Sequence, residues 1–206
     1  MTRTLSIGFS AFAGDRLLAT GPLAEVAIAV KMASGGAIAA PILIFDDRTG
    51  RAIDLDLRGS HREIVARLPQ PPLESAVETA PRGRGRPKLG VVSREVTLLP
   101  RHWDWLNARP GGASVALRKL VEEARRVHAD ADRIRAARDA AYHFMSAMAG
   151  DRPHFEEAAR ALFAGDEARF AALIADWPGD IRAHLLRLTS AITLQRQPVD
   201  PAASSR

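Results

Sequence analysis

The chain has 206 residues, 47% of them hydrophobic and 26% charged, with no cysteine and a formal net charge of +5. That balance suits a soluble globular protein of one large domain or two to three small ones. It excludes a disulfide framework and any thiolate metal site, and it fits a reducing cytoplasm. The charge is not spread evenly. Residues 1–75 carry eight basic and eight acidic side chains, residues 76–128 carry eleven against five, and residues 129–206 carry ten against eleven. The excess therefore belongs to the middle of the chain, where it forms a local electrostatic footprint for a polyanion.

The first 68 residues read as a small α+β domain of order ββαββα. Thr4 to Phe12 has strand character, Ala13-Gly14-Asp15 is a turn, and Arg16 to Thr20 returns as a second strand. Gly21-Pro22 opens a helix with Pro in the first turn, where its missing N–H costs nothing. Leu23, Val26, Ala27 and Val30 recur on one face of that helix, which Ser34-Gly35-Gly36 ends. Pro41 to Phe45 is a short apolar strand, and Asp46-Asp47-Arg48-Thr49-Gly50 is a turn. Ile53, Leu55 and Leu57 alternate with Asp54 and Asp56, as in a strand with one wet face. Ser60 and Glu63 form a capping box for a helix ending near Leu68.

Residues 69–90 form a Pro/Arg-rich basic linker, because Pro69, Pro71, Pro72, Pro81 and Pro87 break any helix or ladder. Residues 91–128 read as strand, helix, helix. The strand spans 91–99, Pro100 starts the first helix, and Pro110-Gly111-Gly112 ends it. Ser114 is expected to cap the second helix, with Leu117, Leu120, Val121, Ala124 and His128 as its inward stripe and a continuation towards Met148. Trp103 and Leu106 share the core side of the first helix. Trp105 points about 200° away from Trp103, so the two cannot form one base-stacking platform. The helical C-terminal region, 129–197, adds helices at Phe155 to Phe163, Asp166 to Trp177 and Asp180 to Leu194. Residues 198–206 read as a disordered tail.

Arg84-Gly85-Arg86-Pro87-Lys88 resembles an AT-hook. Pro87 keeps the backbone extended, Gly85 permits close approach to a groove floor, and the two arginines suit the negative potential of a narrow A·T minor groove. Val96-Thr97-Leu98-Leu99-Pro100, followed by Gly112-Ala113-Ser114 and Val115 to Leu120, resembles the ribbon-helix-helix family. That resemblance implies a homodimer whose paired strands enter the major groove, with the start of the second helix on a phosphate. The DNA-contacting set it implies, with the hook, is Arg82, Arg84, Arg86, Lys88, Arg94, Ser114, Arg118 and Lys119. With Leu99 buried, the strand's alternation puts Arg94, Val96 and Leu98 towards the groove, and two of these three lack donors and acceptors; the other register exposes Glu95 and Thr97, and an acid facing DNA is hardly better. Contact through charge and shape is therefore expected rather than base readout.

No phosphate-cradling loop, zincin helix or serine elbow is present. Asp139–His143 and His128–Asp132 are i, i+4 pairs that surface hydrogen bonding explains, and turn chemistry and a solvated strand face explain Asp46, Asp47, Asp54 and Asp56. No catalytic residue, metal or cofactor is expected, nor any membrane span: the apolar window Ala24 to Phe45 contains Glu25, Lys31, Gly35, Gly36 and Pro41.

Over nearly its whole length the chain resembles a bacterial family known only as a domain of unknown function. The resemblance lies in Phe45-Asp46-Asp47, Thr49-Gly50-Arg51, Gly85 to Gly90, Arg94 to Trp103, Phe144 to Asp151 and Trp177-Pro178. The expectation is a cytoplasmic, DNA-associated regulatory or nucleoid-type protein. The alternative is a protein-interaction or small-ligand-binding module with no nucleic-acid role.

Overall fold

A computed structural model describes residues 8–35, 40–69, 92 and 94–193, with side chains through Ser190. It divides into two compact units. One combines Met1–Leu68 with Asp130–Arg206, and the other is Pro69–Ala129.

The first unit opens with β1 (Phe9–Ala13), β2 (Arg16–Gly21), α1 (Leu23–Ser34), β3 (Ile42–Asp46), β4 (Arg51–Ile53) and α2 (His61–Arg67), the predicted ββαββα order in an α+β fold. The four strands form an antiparallel sheet in the order β2-β1-β3-β4. Gly14, at φ 56°, supplies the left-handed residue that turns β1 into β2. The register shifts between Ala11, opposite Ala19, and Phe12, opposite Leu17. This is a β-bulge at Leu18, which sharpens the local twist. The capping box forms as the sequence requires: Glu63 N–H donates to Ser60 Oγ, and Ser60 N–H donates to Glu63 Oε2 at 2.7 Å.

Successive strand residues point to opposite faces, and both faces of this sheet are covered. Ala11 and Ile44 pack on Val26 and Val30 of α1. Phe12 and Phe45 pack on the other side against Phe144, Met145, Ile181 and Leu185. Those partners come from the C-terminal part of α4 (Gly112–Ala149) and from α7 (Gly179–Thr193), accompanied by α5 (Phe155–Ala164) and α6 (Glu167–Leu173). Ala141, Phe144, Met145 and Ala149 are all fully buried at helical spacing, so this end of α4 is a core helix. Phe12, Phe45 and Phe144 form a tilted and edge-on aromatic cluster with centroids 4.9–6.1 Å apart. Asp180 fixes the start of α7 to the sheet by accepting the Leu17 N–H at 2.8 Å.

Two expectations for this unit change in detail. The alternation at 53–57 is not a strand beyond β4: Leu55 and Leu57 are half-buried against the α1 cluster without joining the ladder. Side-chain burial, which alternation reports, does not require a hydrogen-bonded neighbour. The helix predicted over Asp166 to Trp177 is shorter, with Asp166 as its N-cap and Leu173 as its last residue. Trp177 lies beyond it, buried, with Nε1–H donating to the Pro153 carbonyl at 3.0 Å.

In the second unit, α3 (Pro100–Asn107) begins at the proline as predicted, and α4 follows from Gly112, whose φ of 72° marks the turn. The strand predicted over 91–99 is not formed at the described residues 92 and 94–99, none of which pairs in a ladder. Val96 and Leu99 are about half exposed there, so the alternation has no buried face to drive pairing. Ser114 is inside the first turn of α4 rather than its cap. Leu106 and Ala116 are the buried residues of these two helices within the unit. The stripe expected to face inward does not: Leu120, Val121, Ala124 and His128 are exposed, and Leu117 is half-buried. Helical periodicity identified an apolar face without identifying what would cover it. No described helix is long and apolar enough to cross a membrane.

Candidate functional site

Two constellations stand out among the described residues, one in each unit. In the first unit, the turn from Asp46 to Gly50 is pressed into the C-terminal helices. Gly50 N–H donates to Asp46 O at 2.8 Å and closes the turn. His143 of α4 donates from Nδ1 to the Thr49 carbonyl at 3.0 Å and accepts at Nε2 from Arg51 Nη2 at 3.1 Å. His143 therefore serves the turn and not Asp139, its sequence-predicted partner.

Behind the turn lies a polar cluster inside the aromatic core. Ser10 of β1 donates from Oγ to Asp47 Oδ2 at 3.0 Å. Arg187 of α7 donates from Nη2 to Ser10 Oγ at 3.0 Å, to Asp47 Oδ2 at 3.1 Å and to His184 Nδ1 at 2.7 Å. Because Nδ1 accepts, the His184 proton sits on Nε2. That atom faces Asp47 Oδ1 at 3.5 Å, and both atoms lack any closer partner. Burial between Phe12 and Phe144, aided by the Arg187 charge, pulls the His184 pKa down to about 3. Burial also raises the Asp47 pKa, against the opposing pull of Ser10 and Arg187.

The cluster contains a serine, an aspartate and a histidine, but not in the order that activates a nucleophile. Ser10 gives its proton to Asp47 rather than to His184, and Ser10 is completely buried. What the arrangement does is tie three elements together: β1, the β3–β4 turn and α7. Sequence reading missed it, because Asp47 explained itself as a turn residue and Ser10 as a strand residue. The one available signal was His184 and Arg187 at i, i+3 on an otherwise apolar helix face.

The second constellation holds the sequence-predicted DNA contacts that fall within the described residues. Arg82, Arg84, Arg86 and Lys88, the hook, lie outside them. Arg94, Ser114, Arg118 and Lys119 are all exposed. Arg94 precedes α3, whereas the other three lie on α4. Arg118 and Lys119 recur seven residues later as Arg125 and Arg126, so the four cations share an arc of about 120° on the helix. Arg125 reaches Glu122 at 3.3 Å, and Arg118, Lys119 and Arg126 make no ion pair among the described residues. Arg125 and Arg126 share this arc and were not in the predicted set, although their seven-residue repeat was visible. Nearby, Arg109 stacks its guanidinium 3.9 Å from the centre of the Trp105 ring, which keeps both on the surface.

Among the described residues, no group of three or more His, Asp and Glu side chains is placed to hold a metal ion. Asp56 is engaged by Arg58 and Arg67, and the hydrogen bonds from Arg58 hold its carboxyl well below the usual range.

No curated protein and no solved structure matches the chain. One family model matches residues 8–189, which span the sheet, the basic segment and the C-terminal helices. The chain belongs to that family, DUF2239, described as an uncharacterized protein conserved in bacteria.

Proposed function

We propose that the chain is a DNA-associated regulatory or nucleoid-type protein that contacts the duplex through charge rather than base readout. The observation carrying this reading is the solvated cationic arc of α4, formed by Arg118, Lys119, Arg125 and Arg126. It lies in the same segment, 76–128, that holds the chain's excess of positive charge. Long aliphatic stems with exposed cationic heads suit phosphate contact, which positions a protein on DNA without selecting sequence. The hook residues Arg84, Arg86 and Lys88 would add minor-groove contact with a preference for A·T-rich duplex.

The test is duplex binding by fluorescence anisotropy across a salt series. Four neutralised phosphates give a slope of about −3.6 in log K against log salt, or roughly a hundredfold loss between 50 and 200 mM. A salt-independent affinity, or none for any duplex at low salt, would overturn the reading.

A further inference from the structure

A cleft of about 350 Å³ opens among the C-terminal helices of the first unit, between α4, α5, α6 and α7. That volume takes about a dozen waters, or one small molecule with an apolar body. Its walls are mainly apolar: Ala161 and Leu162 of α5, Phe170 of α6 and Leu186 of α7. The first three are buried, whereas Leu186 is 40% exposed, so the cleft reaches solvent beside it.

The polar groups on these walls fall into two sets. The first is a single cation on α4, Arg138, which is half-buried and has no ion pair among the described residues. Its Nε is shut off from solvent with no hydrogen-bond partner. A guanidinium so placed is costly, and a carboxylate in the cleft that draws its fork inward offsets the cost with paired hydrogen bonds.

The second set consists of acceptors, at the start of α6 and on α7. Asp166 caps α6 through Oδ1, which accepts the Arg169 N–H at 3.0 Å, and it is exposed at the rim. Glu167 follows it, half-buried. Thr189 Oγ1 donates to the Leu185 carbonyl at 3.1 Å, and Ser190 Oγ donates to the Arg187 carbonyl at 2.7 Å. Each hydroxyl has thereby committed its only proton, and lone pairs are what it has left to offer. The lining as a whole carries one cation against two acids. A plain carboxylate would leave the acids unmatched, and a plain amine would leave Arg138 unmatched. A molecule with a carboxylate, an ammonium and an apolar body matches every wall.

We infer that this cleft binds a free apolar amino acid of the size of phenylalanine. Arg138 takes its carboxylate, the acids and hydroxyls of Asp166, Glu167, Thr189 and Ser190 take its ammonium, and Leu162, Phe170 and Leu186 pack on its side chain. The site lies wholly in the first unit and does not depend on duplex binding by the second.

Isothermal titration calorimetry of the full-length chain tests this with three probes of one shape: L-phenylalanine, hydrocinnamate, which lacks the ammonium, and phenethylamine, which lacks the carboxylate. The expected result is saturable binding of L-phenylalanine, with both analogues weaker by about tenfold or more. Arg138→Gln should lower the affinity for L-phenylalanine to that for phenethylamine and leave phenethylamine itself unchanged, a selective loss that general unfolding does not give. The comparison of probes on the unaltered chain decides the matter should the variant not fold. The assignment is refuted by an analogue that binds as tightly as the amino acid, by an unchanged affinity in Arg138→Gln, or by no saturable binding of L-phenylalanine at millimolar concentration.

Discussion

Gly50 is the position where the smallest change should do the most damage. Its φ is +64°, and a Cβ built there would lie 1.8 Å from the Ala140 carbonyl oxygen and 2.6 Å from its carbon. Both atoms belong to the backbone of α4, so no side chain can rotate away. In Gly50→Ala the turn or the helix must shift by over an ångström. The left-handed conformation alone costs about 1–2 kcal/mol for alanine. The shift also weakens the His143 bond to Thr49 and the Arg187 contact with Asp47, which brings the expected total to about 3–5 kcal/mol. At roughly 2–4 °C per kcal/mol for a chain of this size, the melting temperature should fall by about 6–20 °C. Gly14 supplies the control within the same unit. Its φ is +56°, but a Cβ there would meet Ala40 Cβ at 3.5 Å, an ordinary contact. Gly14→Ala should therefore cost only the conformational part, about 1–2 kcal/mol. Thermal unfolding of the two variants by far-UV circular dichroism isolates the contact. If Gly50→Ala melts no lower than Gly14→Ala, the docking of the turn on α4 is not what stabilises this unit.

Three further outcomes are expected. His184 is held neutral by burial, with its pKa lowered to about 3, whereas in the unfolded chain it takes up a proton near 6.5. Its contribution is therefore fully present above pH 6.5 and is lost as pH falls towards 3, at up to about 1.4 kcal/mol per pH unit. The raised pKa of Asp47 acts in the opposite sense, favouring the fold at low pH and losing that contribution as pH rises above 3.8. Urea midpoints between pH 7 and 4 should fall in the parent and fall less in His184→Asn; parallel curves would contradict the assignment. Asp180→Ala removes the acceptor of the Leu17 N–H and should cost about 1–3 kcal/mol, with faster hydrogen exchange at Leu17. Asp180→Asn keeps an acceptor oxygen and should cost less, so equal losses would refute the hydrogen-bond account. Arg118→Gln with Arg126→Gln should reduce the salt slope of duplex binding by about two units without changing the melting temperature by more than a degree or two.

Much of the fold was legible because local chemistry and burial agreed along the first 68 residues. The capping box at Ser60 and the Gly14 turn each work within a few residues of themselves and appear where the sequence placed them, and Pro22 opens α1 from the N-cap position rather than from its first turn. What failed were inferences that turned on a distant neighbour the local pattern does not name. The alternation of Val96 and Leu98 looked like a strand, yet no ladder partner is present among the described residues. The Leu117 to His128 stripe was recognisable as apolar, but periodicity does not say whether anything covers an apolar face. The Ser10, Asp47, His184 and Arg187 cluster was invisible for a related reason. Its members lie on three elements far apart in the chain, and each has an ordinary local explanation. The cationic residues of α4 were the part of the candidate site that spacing alone could have completed, since Arg125 and Arg126 repeat Arg118 and Lys119 after seven residues.

The double-sided sheet sets a timing problem for synthesis. The strands carrying Phe12 and Phe45 are complete by β4, but Ile181 and Leu185, which cover that face, emerge about 130 residues later. At typical elongation rates the uncovered aromatic face waits roughly 6–25 s. During that interval the nascent chain presents Phe12, Phe45 and the unfilled niche for Arg187 to its surroundings. Chain segments released before α7 is made should be the species that chaperones retain and that aggregate first.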